Sequence, residues 1–167
     1  GYNPGSTESD VYFLIVTYVE TSVILIALFG ASSARERNRY PFVKELFEWI
    51  NTQRVDAIIS LYVLQEIYAF RLQICTGSEI EHFAKEVFRE IFQNEGGIAG
   101  LLTREQRLIY GRQFDRLIDS SDQPHAVSAF LSGCHYLITY DSHFDAIKAQ
   151  LPVLTPEALL KELNRSE

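Results

Sequence analysis

Four acidic side chains stand where chemistry could be done with them: Glu20, Glu66, Asp122 and Asp141. Glu20 closes an apolar run at residues 11–19, VYFLIVTYV, and Asp141 closes another at residues 135–140, HYLITY. Asp122 opens the stretch that feeds into the second run. Glu66 lies in a helical pattern with Leu64, Ile67, Tyr68 and Leu72 on one face. Carboxylates gathered in one place repel each other and lose hydration, so a gathering of this kind needs a positive charge to hold it. Mg²⁺ or Mn²⁺, which prefer oxygen ligands, is the simplest candidate. Other common chemistries lack their sequences: there is no phosphate-cradling glycine loop, no GxSxG elbow and no Cys/His metal spacing. Taken singly the acids are weaker signals. Asp122 also suits a helix N-cap and Glu66 a solvated helix position. Glu20 is harder to explain away, because an acid at the end of so apolar a run needs a partner.

These acids are useful only if the elements carrying them meet. Residues 11–19 are rich in β-branched and aromatic side chains without alternation, which predicts a strand covered on both faces, as in a parallel sheet. Thr21 or Ser22 can cap the apolar helix that follows, and Gly30 to Ser32 should end it. A membrane span over residues 11–29 is the competing expectation, but it would put Glu20 at its centre, at a cost of about 2.5 kcal/mol or more. The polar loop 33–40 carries Arg35, Arg37 and Arg39. Pro41 suits the first turn of a helix with Phe42, Val43, Leu46, Phe47 and Ile50 as its apolar stripe. Residues 55–60 predict a second strand and residues 78–92 an amphipathic helix that Gly96 and Gly97 break. Thr103, with Gln106 three residues on, predicts a capping box at the head of a helix carrying Arg104, Arg107, Arg112 and Arg116. Asp122 leads a helix over 124–131 that Gly133 closes, and a strand over 135–140 follows. A short helix over 143–149, a strand over 152–154 and a helix from Pro156 complete the chain. Strands alternating with helices predict an α/β domain, and parallel topology would bring Glu20 and Asp141 to one edge of the sheet.

The 167 residues suit one domain with a sizeable core. Residues 1–10, GYNPGSTESD, are expected to form a poorly ordered tail, residues 11–163 the domain, and residues 164–167 a short C-terminal tail. With no methionine anywhere, Gly1 reads as a processed or cloning-derived end. The net charge of −7 excludes a general electrostatic grip on nucleic acid, so such a ligand would need a local basic face or a metal. Cys75 and Cys134 fall in no paired spacing, which fits a reducing cytoplasm rather than a disulfide framework.

Three stretches carry a family resemblance: YVETSVILIAL at 18–28, LQEIYAF at 64–70 and DQPHAVSAFLSGCHYLITYDSHF at 122–144. The third is the most specific, with an acid, alanines four and seven residues on, a glycine eleven on, and an apolar strand ending T-x-D. With VLTPEALL at 153–160, the chain resembles a PIN domain, the metal-dependent ribonuclease fold of VapC-type toxins and RNA-processing nucleases, over residues 11–163. The resemblance implies a three-layer α/β/α fold around a central, mostly parallel twisted sheet. It implies a divalent-metal-dependent endoribonuclease, with Glu20, Glu66, Asp122 and Asp141 as metal-binding and catalytic acids and Mg²⁺ or Mn²⁺ as cofactor. Asp122, Asp141 and Glu20 would share one ion and Glu66 would hold a second or orient water. Ser22 and Thr139 match the small hydroxyl residues that support the site. Implied partners are an RNA substrate, an antitoxin protein and a second copy of the chain. Arg35, Arg104 and Arg107 are candidates for the RNA, or else simply solvate the surface. A PIN-fold RNA- or protein-binding module without catalysis is the alternative. Two positions depart from the pattern. Glu20 stands where the family usually has Asp, and His143 where it often has another acid, with Asp145 one turn beyond Asp141. His125, inside the Asp122 helix, is expected to be an ordinary, partly buried histidine.

Overall fold

The computed structural model describes residues 14–74 and 96–166, with His82, Lys85 and Arg89 between them. The expected N-terminal tail, Cys75 and most of the amphipathic stretch 78–92 lie outside the described residues.

Strand β1, Ile15–Val19, is the middle of a five-stranded sheet. On one side lies β2, Val55–Ser60, and beyond it β3, Gly97–Ala99. On the other lie β4, Tyr136–Ile138, and β5, Val153–Leu154. The order is β3-β2-β1-β4-β5 and every pairing is parallel. Thr17, Tyr18 and Val19 are consecutive, point to alternate faces, and are all buried, so helices cover both faces of the sheet. This is the expected three-layer α/β/α fold.

Three strand boundaries differ from the sequence reading. The first strand begins at Ile15 rather than at residue 11, because its ladder starts where Ile15 meets Val55, the first residue of β2; Leu14 is outside the strand. Gly97, read with Gly96 as a helix break, instead opens an edge strand, Gly97–Ala99, that pairs with Ile58 to Ser60. Gly97 allows that approach, since a β-carbon there would lie 3.3 Å from the Ile58 side chain. The β4 ladder is also shorter than residues 135–140, although Thr139 still donates its N–H to the Leu154 carbonyl at 3.0 Å before the chain turns away.

Six helices complete the described chain: α1 Thr21–Phe29, α2 Tyr40–Asn51, α3 Leu61–Ile74, α4 Arg104–Gly111, α5 Gln123–Leu131 and α6 Pro156–Arg165. The apolar run from β1 into α1 is thus divided at Glu20, and among the described residues no helix is long and apolar enough to cross a membrane. The α2 stripe buries Val43, Leu46, Phe47 and Ile50, while Phe42 is exposed. On α3, Val63 and Ile67 are buried and Tyr68 faces solvent. The capping box of Thr103 and Gln106 forms as expected, but α4 ends at Gly111. Arg112 is its C-cap and Arg116 lies beyond it, so these two do not share a helix face. Gly133, at φ +68°, makes the left-handed turn from α5 toward β4, a conformation that favours glycine. Cys134 is a buried free thiol, and burial pushes its pKa up to about 12.

Candidate metal centre

The carboxyl edge of the sheet gathers the acids. Glu20 follows β1 directly and remains tied to the sheet, its N–H donating to the Ile138 carbonyl at 3.0 Å. Its side chain, 5% exposed at the residue level, folds back over the start of α1. Glu20 is itself the helix N-cap, the role expected of Thr21 or Ser22, since a carboxylate is the stronger acceptor for first-turn N–H groups. Both its carboxylate oxygens accept the Ser22 N–H at 3.2 Å. Oε1 also accepts the hydroxyls of Ser22 at 2.6 Å and Thr139 at 2.5 Å. Those hydroxyls in turn accept the N–H groups of Tyr140 at 3.0 Å and Asp141 at 2.9 Å. Ser22 and Thr139 therefore stitch the end of β1 to the backbone that carries Asp141.

Glu66 reaches the same region from α3, its side chain 40% exposed. Its Oε1 is hydrogen-bonded to His125 Nε2. His125 is not partly but wholly buried, and it belongs to the group: one ligand atom each from Glu20, Glu66 and His125 lies within 4.8 Å of the others.

Asp122, Asp141 and His143 form a second group within the same limit. Asp122 occupies the N-cap position of α5, but its backbone is helical (ψ −29°) and its side chain makes no capping bond. The carboxylate is turned into the site, where Oδ2 is buried with no hydrogen-bond partner. Burial first, then the nearby charge of Asp141, pushes its pKa up to about 6; Asp119 and Glu20 add to the rise and His125 opposes it. Asp141 is half-buried, accepts the His143 N–H at 2.9 Å, and caps the 3₁₀ segment Ser142–Ile147. The His143 ring is exposed, with Nδ1 3.4 Å from Asp141 and 3.8 Å from Asp122. The acids pack most closely as two trios at one edge, Glu20 with Glu66 and His125, and Asp122 with Asp141 and His143, while Thr139 bridges Glu20 to the Asp141 backbone and the Glu20 charge still acts on Asp122. Asp145 is drawn away to Lys148, at 3.2 Å.

Arg35 and Arg104 are exposed. Arg107 lines a small hollow with Gln123 and Pro124. Arg39 stacks on the Tyr140 ring, 4.4 Å from its centroid, next to Asp141. Arg116 shares a hollow with Ile118 and His143. A larger hollow of about 320 Å³ opens beside Asp141, with Thr139, Lys148 and Thr155 in its wall.

The residues present fit a divalent cation. A buried carboxylate oxygen without a donor is costly unless a ligand satisfies it, and Asp122 Oδ2 is such an atom. Asp141 beside it supplies a second hard oxygen, the donor type that Mg²⁺ and Mn²⁺ take. The other group fits less openly, because its carboxylates already hold protein donors.

Neither a protein-family model nor a curated protein matches the chain. Solved structures do. FitAcB from Neisseria gonorrhoeae aligns with TM-score 0.60 at 18% identity, over 84% of this chain and 98% of that one. VapBC2 from Rickettsia felis, solved bound to a DNA fragment from its promoter, aligns with TM-score 0.54 at 15% identity, over 83% of this chain and 97% of that one. At such identities the likeness shows the fold, which is PIN-like.

Proposed function

We propose that the chain is a divalent-metal-dependent endoribonuclease of the PIN type, and the toxin of a toxin–antitoxin pair. The observation that carries the first part is the buried, unpartnered Asp122 oxygen facing a second carboxylate at the carboxyl edge of a parallel sheet. The sequence motifs and the likeness to FitAcB and VapBC2 support the second.

Asp122 and Asp141 would hold one ion, and Glu66, beside Glu20, would hold a second or orient water. A bound Mg²⁺ or Mn²⁺ supplies Lewis acidity, lowering the pKa of water and offsetting phosphate charge. The chain's own residues do the rest. Ser22 and Thr139 lock Glu20 and the Asp141 backbone together, so the acids keep their spacing. Arg39, Arg116 and Lys148 border the site and can hold the RNA backbone against a net charge of −7. Products would carry 5′-phosphate and 3′-hydroxyl ends. The antitoxin, a second copy of the chain and a cytoplasmic setting belong to the same proposal.

The test is cleavage of a mixed RNA pool with Mn²⁺ or Mg²⁺, against EDTA and against Asp122→Asn. Cleavage should need the metal and vanish in the variant; undiminished cleavage by Asp122→Asn would refute the assignment. A second reading, a PIN-fold binding module without catalysis, is favoured by Glu20, whose carboxylate is already occupied by three protein donor groups. Mn²⁺ binding without cleavage of any RNA would support it.

A further inference from the structure

We infer that a buried hydrogen-bonded chain, Ser60 to Tyr18 to His125, fixes the orientation of the Glu66 carboxylate, making His125 and Tyr18 positioning residues for the site. The orientation claim stands on geometry alone; its bearing on metal binding rests on the nuclease reading above.

Tyr18 lies in β1 and Ser60 ends β2, and neither has any exposed surface. His125 is 1% exposed in a helix whose neighbouring positions Ala126, Val127 and Ala129 are apolar and buried. Three polar side chains in a core must satisfy one another. Tyr18 Oη lies 2.7 Å from Ser60 Oγ and 2.6 Å from His125 Nδ1, and His125 Nε2 is bonded to Glu66 Oε1. The hydrogen positions follow from the proton inventory. With a neutral imidazole the chain holds three protons for three bonds, and one direction uses them all. Ser60 donates to Tyr18, Tyr18 donates to Nδ1, and the Nε2–H donates to the carboxylate. The reverse direction puts the proton on Nδ1 and sets the Nε2 lone pair against a carboxylate oxygen, two acceptors in contact. The preferred direction leaves no buried charge inside the chain and ends on the one member that reaches solvent.

Two consequences follow for the site. A glutamate on a helix, with a side chain 40% exposed, would otherwise move among several rotamers. Anchored on Oε1, it presents Oε2 in one direction. His125, although within ligand distance of Glu20 and Glu66, spends both ring nitrogens on protein partners and acts through Glu66. The aromatic surroundings hold the ring in place, since Tyr18, Tyr62 and Phe144 all meet it edge-on.

The chain is tested first in metal-free protein by ¹⁵N NMR of the histidine rings. His125 should show the Nε2–H tautomer alone, and Glu66→Leu, which removes the carboxylate acceptor, should give a tautomer mixture. An Nδ1–H ring in the unsubstituted protein would overturn the proposal. Mn²⁺ titration then reads the effect on the site. His125→Leu should weaken binding about tenfold or more, the usual effect of losing an outer-shell partner. His125→Gln, whose amide can replace the Nε2–H, should recover most of it. In cleavage assays kcat should fall with KM for RNA unchanged. Equal Mn²⁺ affinity in the unsubstituted protein and His125→Leu would overturn the link to the site. If the unsubstituted protein binds no Mn²⁺ at all, the nuclease reading fails, while the tautomer result still decides the orientation claim.

Discussion

The two acidic groups at the edge of the sheet handle the same problem in opposite ways. Glu20 is nearly as buried as a core residue, yet Ser22 and Thr139 surround its oxygens with donors, and Glu66 leans on His125. Asp122 is buried to a similar degree, its Oδ2 has no donor, and its neighbour is another carboxylate. In the first group the protein supplies the compensation; in the second Asp141 accepts the His143 N–H, but Asp122 Oδ2 is left without a hydrogen-bond donor. A side chain kept charged, desolvated and unpaired costs stability, and folds keep such residues where an outside ligand restores the balance. Carboxylates alone are not the signal for the proposed metal site; the missing donor at Asp122 is the observation that supports it.

This contrast predicts opposite signs for matched substitutions in the metal-free protein. The largest effect belongs to Glu20→Gln, which keeps the shape but turns charge-assisted hydrogen bonds into neutral ones and weakens the α1 cap. It should destabilise by about 2–3 kcal/mol in urea unfolding. Asp122→Asn should do the reverse, stabilising by about 1–2 kcal/mol at neutral pH, because it removes a repelled and unpaired charge; the figure allows for solvent screening at the open side. If both substitutions destabilise, the distinction between a satisfied and an unsatisfied group is broken. With saturating Mn²⁺ the order should invert for Asp122. At a hundred times its Kd the ion should add about 2.7 kcal/mol to the unsubstituted protein and much less to the variant.

The pH dependence sharpens the comparison further. The folded-state pKa of Asp122, about 6, lies above that of an unfolded aspartate, about 4. The folded protein therefore binds the proton more tightly. The stability tied to that proton is fully present below about pH 4 and lost as pH rises through about 6. Metal-free unfolding curves for the unsubstituted protein should lose about 1–2 kcal/mol over that window relative to Asp122→Asn. A flat difference between the two across pH 4–7 would show that the carboxylate is solvated after all.

Much of this arrangement was legible in the chain, and the failures have physical causes. Residues 55–60 and the Thr103 capping box announce themselves because local chemistry decides them. Glu20 and Asp141 could be placed at one edge because parallel strands all end there. Which acids pack closest together was not readable. It depends on side-chain direction at the start of α5, where a helical ψ swings Asp122 away from the capping role its residue type suggests. Nor does the short strand Gly97–Ala99 show itself, since an edge strand beginning with glycine has little propensity of its own and forms by pairing with β2. Tyr18 and Ser60 carried one available signal, polar atoms at positions predicted to be buried. Only the fold names His125 as what they meet.

The smallest expected effect concerns His143, beside the aspartate pair. Its ring is 71% exposed and approaches Asp141 and Asp122 without a direct hydrogen bond to either carboxylate, so it contributes little to the metal-free fold. Replacing it with Asp would put a third carboxylate beside a pair that already repel each other. That should lower metal-free stability by under about 1 kcal/mol, since an exposed charge is well screened. The same substitution should strengthen Mn²⁺ binding several-fold, because a hard anionic oxygen replaces a ring nitrogen near the ion. Isothermal titration of His143→Asp and His143→Ala separates the possibilities. Tighter binding in the first, with near-unchanged binding in the second, locates the ion between Asp122 and Asp141. Weaker binding in both would make His143 a ligand in its own right, and would shift the centre toward the exposed side of the site.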